Sequence, residues 1–91
     1  MGVYKENGKF YNGKPVYKHV LLDMFLFVND IGLWVVHNEL QSNKMFIYNT
    51  KENQPAPPAT GWKYWDGIKW TIDDKLRVQV IGNQKLRICH Y

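Results

Sequence analysis

Turn-forming residues divide the hydrophobic positions of this chain into short segments. Asparagine, aspartate and glycine recur about every eight to twelve residues, a spacing typical of an antiparallel meander. These signals are Asn7-Gly8, Asn12-Gly13, Asn29 to Gly32, Asp66-Gly67 and Gly82-Asn83. Between them the chain is rich in Val, Ile, Tyr, Phe and Trp, which suit a pleated surface. We therefore predict an all-β fold: a small antiparallel meander, sandwich or partly open barrel of about six to nine short strands.

The β-rich segments follow from this division. They are Gly2–Lys5, Lys9–Tyr11, Val16–His19, Met24–Val28, Leu33–His37, Met45–Tyr48, Trp62–Trp65, Ile68–Ile72, Leu76–Ile81 and Lys85–His90. Met24–Val28 has no polar alternate position and Leu33–Val36 shares this pattern, so both should be central strands covered on both faces. A single helical turn near Leu21–Met24 is an alternative at the start of the first of these runs.

The hairpin between these two central strands allows a register to be predicted. A loop at Asp30-Ile31 would place Phe27 opposite Trp34 and Leu26 opposite Val35. Such a cross-strand set of large apolar side chains would anchor the core.

The C-terminal hairpin is constrained more sharply, because facing residues share one side of a sheet. A two-residue loop at Gly82-Asn83 would set Val80 against a lysine. A three-residue loop, or an equivalent bulge, instead pairs Val80 with Leu86 and Val78 with Ile88. We predict the second register.

A single domain, residues 1–91, accounts for the whole chain. Ninety-one residues and a mass of 10.8 kDa suit one core. The segment 49–61 is polar and then proline-rich, so it cannot donate a full ladder of hydrogen bonds and should be one long loop. Its PxxP spacing occurs in ligands of SH3 and WW domains, but a structural strut over the sheet is the interpretation we favour.

The chemistry-bearing residues favour a binding protein over an enzyme. Cys89 is the only cysteine, which excludes a disulfide within the chain and a zinc site with two or more thiolates. The three histidines form no HExxH motif, and Ser42, the only serine, lacks the glycines of a nucleophile elbow. We predict no catalytic residues, no metal site and no cofactor.

Three tryptophans occur in the predicted hairpin that follows the proline-rich loop. Alternation places Trp62, Tyr64 and Lys69 on one face, whereas Trp65 and Trp70 share the other. Exposed Trp62 and Tyr64 rings beside Lys69 would stack against a sugar, a proline or a base. The alternative is that these rings pack beneath the proline-rich loop as part of the core.

Basic residues form a second candidate site. The chain carries a net charge of +4 and has a pI near 9.2. On one face of the predicted C-terminal hairpin lie Lys75, Arg77, Lys85 and Arg87. If the chain ends lie close together, an anion-binding patch would also include lysines near the start, Lys5, Lys9, Lys14 and Lys18. A solvated outer face that keeps the domain soluble is the alternative.

Further features bear on location and assembly. No stretch approaches the roughly 18 apolar residues of a membrane span, and Met1–Phe10 lacks a signal-peptide-like apolar run. We expect a soluble chain whose compartment is undetermined. An exposed edge strand such as Lys85–His90 would offer a surface for pairing with a second copy, so homodimerisation is left open.

Turn and core motifs over about residues 2 to 80 carry one resemblance. In chain order they are Gly2-x-Tyr4, Asn12-Gly13-x-Pro15-Val16-Tyr17, Phe25-Leu26-Phe27, Trp34-Val35-Val36, Pro57-Pro58-x-x-Gly61-Trp62 and Gly67-x-x-Trp70. This order resembles a small β module that occurs, often in tandem, in large multidomain eukaryotic proteins. The resemblance implies an accessory or interaction role with no assigned activity.

Together these observations predict a non-catalytic recognition module. Its ligand would be a protein segment or a carbohydrate, bound on the surface of Trp62, Tyr64 and Lys69. The alternative is a nucleic acid or another polyanion, bound by the basic face of the C-terminal hairpin.

Overall fold

A computed structural model describes residues 2–38 and 47–91, which contain nine strands and no helix. The strands are β1 (Gly2–Tyr11), β2 (Lys14–His19), β3 (Phe25–Val28), β4 (Trp34–His37), β5 (Ile47–Asn49), β6 (Trp62–Trp65), β7 (Trp70–Ile72), β8 (Leu76–Gly82) and β9 (Lys85–His90). Accordingly, no helix in the described part of the chain is long and apolar enough to cross a membrane.

The nine strands form one antiparallel sheet in the order β7-β6-β5-β4-β3-β2-β1-β9-β8. Strands β1 to β7 are a meander, and the β8–β9 hairpin joins it because β9 pairs with β1. Trp62 of β6 and Leu76 of β8 pack in one hydrophobic cluster although they lie near opposite ends of this order. The sheet is therefore curled into a half-barrel, and the all-β prediction is confirmed.

Each face of the sheet carries its own apolar cluster. The main core fills the inner face and comprises Tyr4, Leu26, Val28, Trp34, Val36, Trp62, Leu76, Val78, Leu86 and Ile88. A smaller cluster on the outer face comprises Val16, Phe27, Leu33 and Val35. Strands β3 and β4 contribute to both clusters, so they are the central, doubly covered strands that their unbroken apolar runs predict.

The predicted register of the β3–β4 hairpin is wrong by one residue. Phe27 lies opposite Val35 and not opposite Trp34. The reason is the side chain of Asn29, whose Oδ1 accepts a hydrogen bond from the backbone N–H of Leu33 at 3.0 Å. Because Asn29 and Leu33 also join through their backbones at 2.9 Å, the loop holds three residues instead of two.

The predicted register of the C-terminal hairpin is confirmed. Val80 pairs with Leu86, Val78 pairs with Ile88, and a bulge follows Val80 before the turn. All four of these residues lie on the inner face of the sheet by alternation, and three of them are buried in the main core.

The first strand corrects another expectation. Residues 2–11 form one strand instead of two, and both halves pair with β2. Asn7-Gly8 lies in a register shift between Glu6 and Phe10, where the Asn7 side chain accepts a hydrogen bond from the Lys9 N–H at 3.0 Å. This asparagine-glycine pair therefore makes a bulge and does not reverse the chain.

Element boundaries differ elsewhere by a few residues. β7 begins at Trp70, because Ile68 lies in the turn that precedes it. The helical alternative near Leu21–Met24 is wrong, since residues 20–23 form bends and the strand begins at Phe25. The predicted start of β5 at Met45 lies outside the described residues.

The strand predicted to be an exposed edge is an interior strand. β9 (Lys85–His90) lies between β1 and β8, with Gly2 opposite Ile88 on one side and Val78 opposite Ile88 on the other. The curl of the sheet brings the first strand against the last, which sequence order alone does not reveal. Among the described strands, β7 and β8 are the edges.

The proline-rich loop is fastened to the core at its carbonyl groups. The indole N–H of Trp34 donates to the carbonyl of Gln54 and that of Trp62 to the carbonyl of Pro58, each at 3.0 Å. The Val78 N–H of β8 donates to the carbonyl of Ala59 at 3.1 Å. The segment thus acts as a strut across one end of the half-barrel.

Candidate functional site

The turn of the β6–β7 hairpin is fixed by one carboxylate. Asp66 Oδ1 accepts the N–H groups of Ile68 and Lys69 at 2.8 and 2.9 Å, and Oδ2 accepts the Thr71 hydroxyl at 2.6 Å. These hydrogen bonds lower the pKa of Asp66 below its usual value. The bond from the Thr71 hydroxyl has the largest effect, and the bonds from the backbone N–H groups have smaller ones. Hydrogen bonds that favour the charged form hold this exposed turn in one conformation.

Two of the three predicted aromatic-site residues reach the surface. Trp62 is fully buried at 0% exposure, because its ring fills the inner face and its indole is bonded to the loop above. This matches the alternative in which the ring packs beneath the prolines, and the expectation of an exposed Trp62 ring is wrong. Tyr64, 38% exposed, and Lys69, also exposed, share the predicted face of the hairpin.

The opposite face of the hairpin presents a larger aromatic surface. Trp65 is 52% exposed and contacts Trp70 edge to face, with ring centroids 5.6 Å apart. Trp70 packs in turn against Tyr48 of β5 at 4.9 Å. Ile72 is exposed on the same face of β7 as Trp70, and Ile68 is exposed in the turn. Alternation in the sequence places Trp65 and Trp70 together, but it does not show which face of the hairpin is covered.

The backbone beside this aromatic surface lies at the edge of the sheet. Asp66 N–H donates to the Lys69 carbonyl at 3.0 Å, and Asp73 N–H donates to the Trp62 carbonyl at 2.9 Å. Since backbone groups alternate along a strand, the N–H and C=O groups of Trp70 and Ile72 point away from β6. Strand β7 thus presents an outward row of backbone groups beside the exposed Trp65 ring of β6.

A basic face lies on the outer side of β8, β9, β1 and β2. Lys5 pairs with Lys85 on one side and with Lys18 on the other, so three lysines lie in one row across three strands. In the next row, Arg87 lies opposite Val3. The expectation that basic residues from both ends of the chain lie close together is confirmed for these positions.

The remaining predicted basic residues are placed less uniformly. Arg77 joins the basic face opposite Cys89, but its guanidinium bonds to the backbone carbonyls of Asp74 and Leu76. Lys75 is exposed in the turn before β8, where its carbonyl accepts the Tyr91 N–H at 3.0 Å. We use "basic face" below for the set Lys5, Lys18, Arg77, Lys85 and Arg87.

A polar cleft of about 350 Å³ opens at the end of the sheet that carries the β1–β2 and β3–β4 loops. Its lining residues are Asn12, Lys14, Val28, Asn29, Asp30, Ile31, Gly32, Asn53 and Gln54. Many of its polar groups already serve the fold: Asn12 donates to the Val28 carbonyl at 2.9 Å, and Tyr11 donates to Asp30 at 2.8 Å. The bond to Asp30 is the main reason that the pKa of Tyr11 is raised. The cleft is therefore largely occupied with holding two hairpins together.

Histidine, cysteine and acidic side chains in the described ranges do not assemble into a metal-binding cluster. No group of three or more His, Cys, Asp or Glu residues there could hold a metal ion. His90 pairs with Asp73 at 2.9 Å on the surface. His19 is buried and accepts two backbone N–H groups on Nδ1, and Cys89 is half-buried. His19 thus holds the backbone of the loop after β2, and His90 and Asp73 form a pair at the surface.

Comparison with known proteins adds no family to this description. Models of protein families, curated proteins and solved structures were each compared with the chain, and none of the three comparisons found a match.

Proposed function

We propose that this domain is a non-catalytic binding module that recognises an extended protein segment along the β6–β7 hairpin. The observation that carries the proposal is the coincidence of the sheet edge at β7 with the exposed rings of Trp65 and Tyr64 on the adjacent strand β6. An extended segment gains affinity from backbone hydrogen bonds when it adds a strand to such an edge, and side-chain pockets then supply specificity.

A segment added to β7 would meet both faces of the hairpin. Its side chains would alternate between the two faces. One set would lie against Trp70 and Trp65, and the other against Thr71 and Tyr64. Tyr64 and Lys69, named from the sequence, are therefore part of the proposed surface, whereas Trp62 supports it from the core.

A displayed library of random linear peptides tests this proposal. Selected peptides should lose about tenfold or more in affinity for Trp65→Ala, because exposed tryptophans are frequent hot spots of protein interfaces. Phe10→Ala is the matched control, since Phe10 is 70% exposed on β1 and lies outside the proposed surface. Bound peptide should also slow hydrogen exchange at the amides of Trp70 and Ile72.

Two outcomes would overturn the proposal. One is selection of no peptide, or of peptides that bind Trp65→Ala as tightly as the unchanged domain. The other is a glycan array in which sugars bind through Trp65 while peptides do not, because the ligand would then be a carbohydrate.

A second candidate function is supported by a separate observation. Like charges directly opposite each other destabilise a sheet, yet Lys85, Lys5 and Lys18 lie in one row. A bound anion relieves this repulsion, so we propose the basic face as a polyanion-binding surface. Heparin and duplex DNA are suitable probes, and Lys5→Glu should weaken binding at least severalfold, with affinity falling steeply as salt rises. Unchanged binding by Lys5→Glu would exclude this site.

A further inference from the structure

Three consecutive apolar side chains project from the loop between β2 and β3. Val20, Leu21 and Leu22 are 52%, 85% and 54% exposed. Single exposed apolar residues are common on protein surfaces and need no explanation. A contiguous exposed run is unusual and is typical of an interaction site.

Hydrogen bonds hold this loop in its exposed form. Val20 N–H donates to the Val3 carbonyl at 3.1 Å, which fastens the loop to β1. The N–H groups of Leu21 and Leu22 both donate to Nδ1 of the buried His19, at 3.0 and 3.1 Å. The leucines are therefore presented by a preformed turn, and binding through them involves little ordering of the chain.

The loop adjoins the basic face. Val20 continues the outer face of β2 beyond Lys18, and its partner Val3 lies opposite Arg87 on the other side. The ammonium group of Lys18 also donates to the Leu22 carbonyl at 3.2 Å. One carboxylate, that of Asp23, lies in the loop, and it pairs with Lys18 at 3.8 Å. The exposed aliphatic turn therefore lies directly beside the Lys18 end of the basic face.

We propose that this surface docks on an anionic lipid bilayer. The cations would contact lipid phosphates while Leu21 and Leu22 enter the boundary between headgroups and acyl chains, as in proteins that lie on a membrane without crossing it. A bilayer alone among common polyanions offers phosphate charge directly above hydrocarbon. Nucleic acids and sulfated glycans would engage the cations but leave the leucines in water.

This inference rests on the second candidate function, because it assumes that the basic face binds anions. Each cation near an anionic leaflet contributes about fivefold to affinity, and burial of one leucine contributes about tenfold or more. Both kinds of contact are needed for firm docking, since electrostatic attraction alone is weakened by salt.

Vesicle flotation with the full chain tests the proposal. The probes are vesicles of phosphatidylcholine alone and vesicles of phosphatidylcholine mixed with phosphatidylserine, and heparin binding is measured in parallel. Leu21→Ser should lower binding to the mixed vesicles about tenfold and leave heparin binding unchanged. Lys5→Glu should lower both. Ile68→Ser is the matched control, because Ile68 is also 85% exposed but lies in the β6–β7 turn.

The outcomes separate the inference from the function on which it rests. If the unchanged domain binds heparin and Leu21→Ser binds the mixed vesicles as tightly as the unchanged domain does, membrane docking is overturned and the polyanion surface is retained. If the unchanged domain binds neither heparin nor the mixed vesicles, both proposals are overturned. Equal binding to uncharged vesicles would contradict the electrostatic part of the proposal. Light scattering measures the oligomeric state of the free protein. If the domain is a dimer that Leu21→Ser dissociates, a second copy covers the loop, and this outcome also overturns the proposal.

Discussion

The indole N–H of Trp62 and the backbone carbonyl of Pro58 are joined by a hydrogen bond of 3.0 Å. This bond ties the proline-rich loop to the ring that fills the inner face of the sheet. The loop covers Trp62, which is completely buried, whereas Trp65 on the other face of the same hairpin is half exposed.

Replacement of Trp62 should therefore damage stability more than binding. We expect Trp62→Ala to lower the free energy of unfolding by about 3–5 kcal/mol, because it leaves a large cavity and frees the loop. Chemical denaturation measures the change. Trp65→Ala on the same strand is the control and should cost clearly less, because the Trp65 ring is half exposed; equal losses for the two variants would contradict the buried position of Trp62.

The loop between β3 and β4 should be sensitive to one added methyl group. Gly32 has φ +87°, and a Cβ there would lie 2.6 Å from Oδ1 of Asn53. We expect Gly32→Ala to combine about 1 kcal/mol or more of backbone strain with displacement of the Asn53 side chain. Gly8→Ala is the control, since Gly8 has φ +81° with no atom within 4 Å of the added Cβ. The melting temperature should fall further for Gly32→Ala, and the reverse order would refute the assigned contact.

Stability in alkali should report the burial of Tyr4. Burial raises the pKa of Tyr4 from the ordinary value of 10.0 to about 12. An acid whose pKa is raised by folding stabilises the fold fully below its unfolded pKa, and this contribution is lost as the pH rises from about 10 to about 12. The loss amounts to about 2–3 kcal/mol.

Tyr4→Phe provides the test of this pH dependence. Denaturation at a series of pH values should show a shallower decline for the variant, because phenylalanine keeps the packing and has no proton to lose. The stability of Tyr4→Phe should still decline somewhat with rising pH because of Tyr17, whose pKa is also raised. The larger cause is burial and the smaller is the negative charge of Glu6. An unchanged slope would mean that Tyr4 ionises without unfolding.

The row of lysines should carry a measurable electrostatic cost. Lys5→Glu converts the pairs with Lys18 and Lys85 into opposite-charge pairs, so we expect a gain of about 0.5–1 kcal/mol in unfolding free energy at low salt. The gain should shrink as salt is added. Lys51→Glu, in the exposed loop, is the control. A destabilised Lys5→Glu variant would argue against the pairing.

The acid side of the stability profile should depend on the β6–β7 turn. Asp66 has a lowered pKa, so its contribution is present above the unfolded value of 3.8 and is lost as the pH falls through the folded pKa. When the denaturation midpoint is plotted against pH, it should therefore fall less steeply at acid pH for Asp66→Asn than for the unchanged domain. Asp74→Asn, at an exposed aspartate for which no such set of hydrogen bonds is seen, should leave the fall at acid pH unchanged.

The amino-acid sequence by itself determined the strands and much of their pairing. Unbroken apolar runs marked β3 and β4 as central, because only a doubly covered strand can dispense with polar positions. The β8–β9 register also followed from sequence, since a shift of one residue would have set valine against lysine. In the β3–β4 hairpin, both registers pair apolar residues with each other, so the sequence does not distinguish them. The hydrogen bond from the Leu33 N–H to the Asn29 side chain sets the register one residue away from the predicted one.

The tertiary structure alone decided which surfaces are free. Alternation assigns Trp62 and Trp65 to opposite faces, but only the curl of the sheet and the proline-rich loop determine that Trp62 is buried. The same curl pairs β1 with β9, which removes an expected edge and aligns Lys5 with Lys85 and Lys18. These are contacts between residues far apart in the chain, and local periodicity carries no information about them.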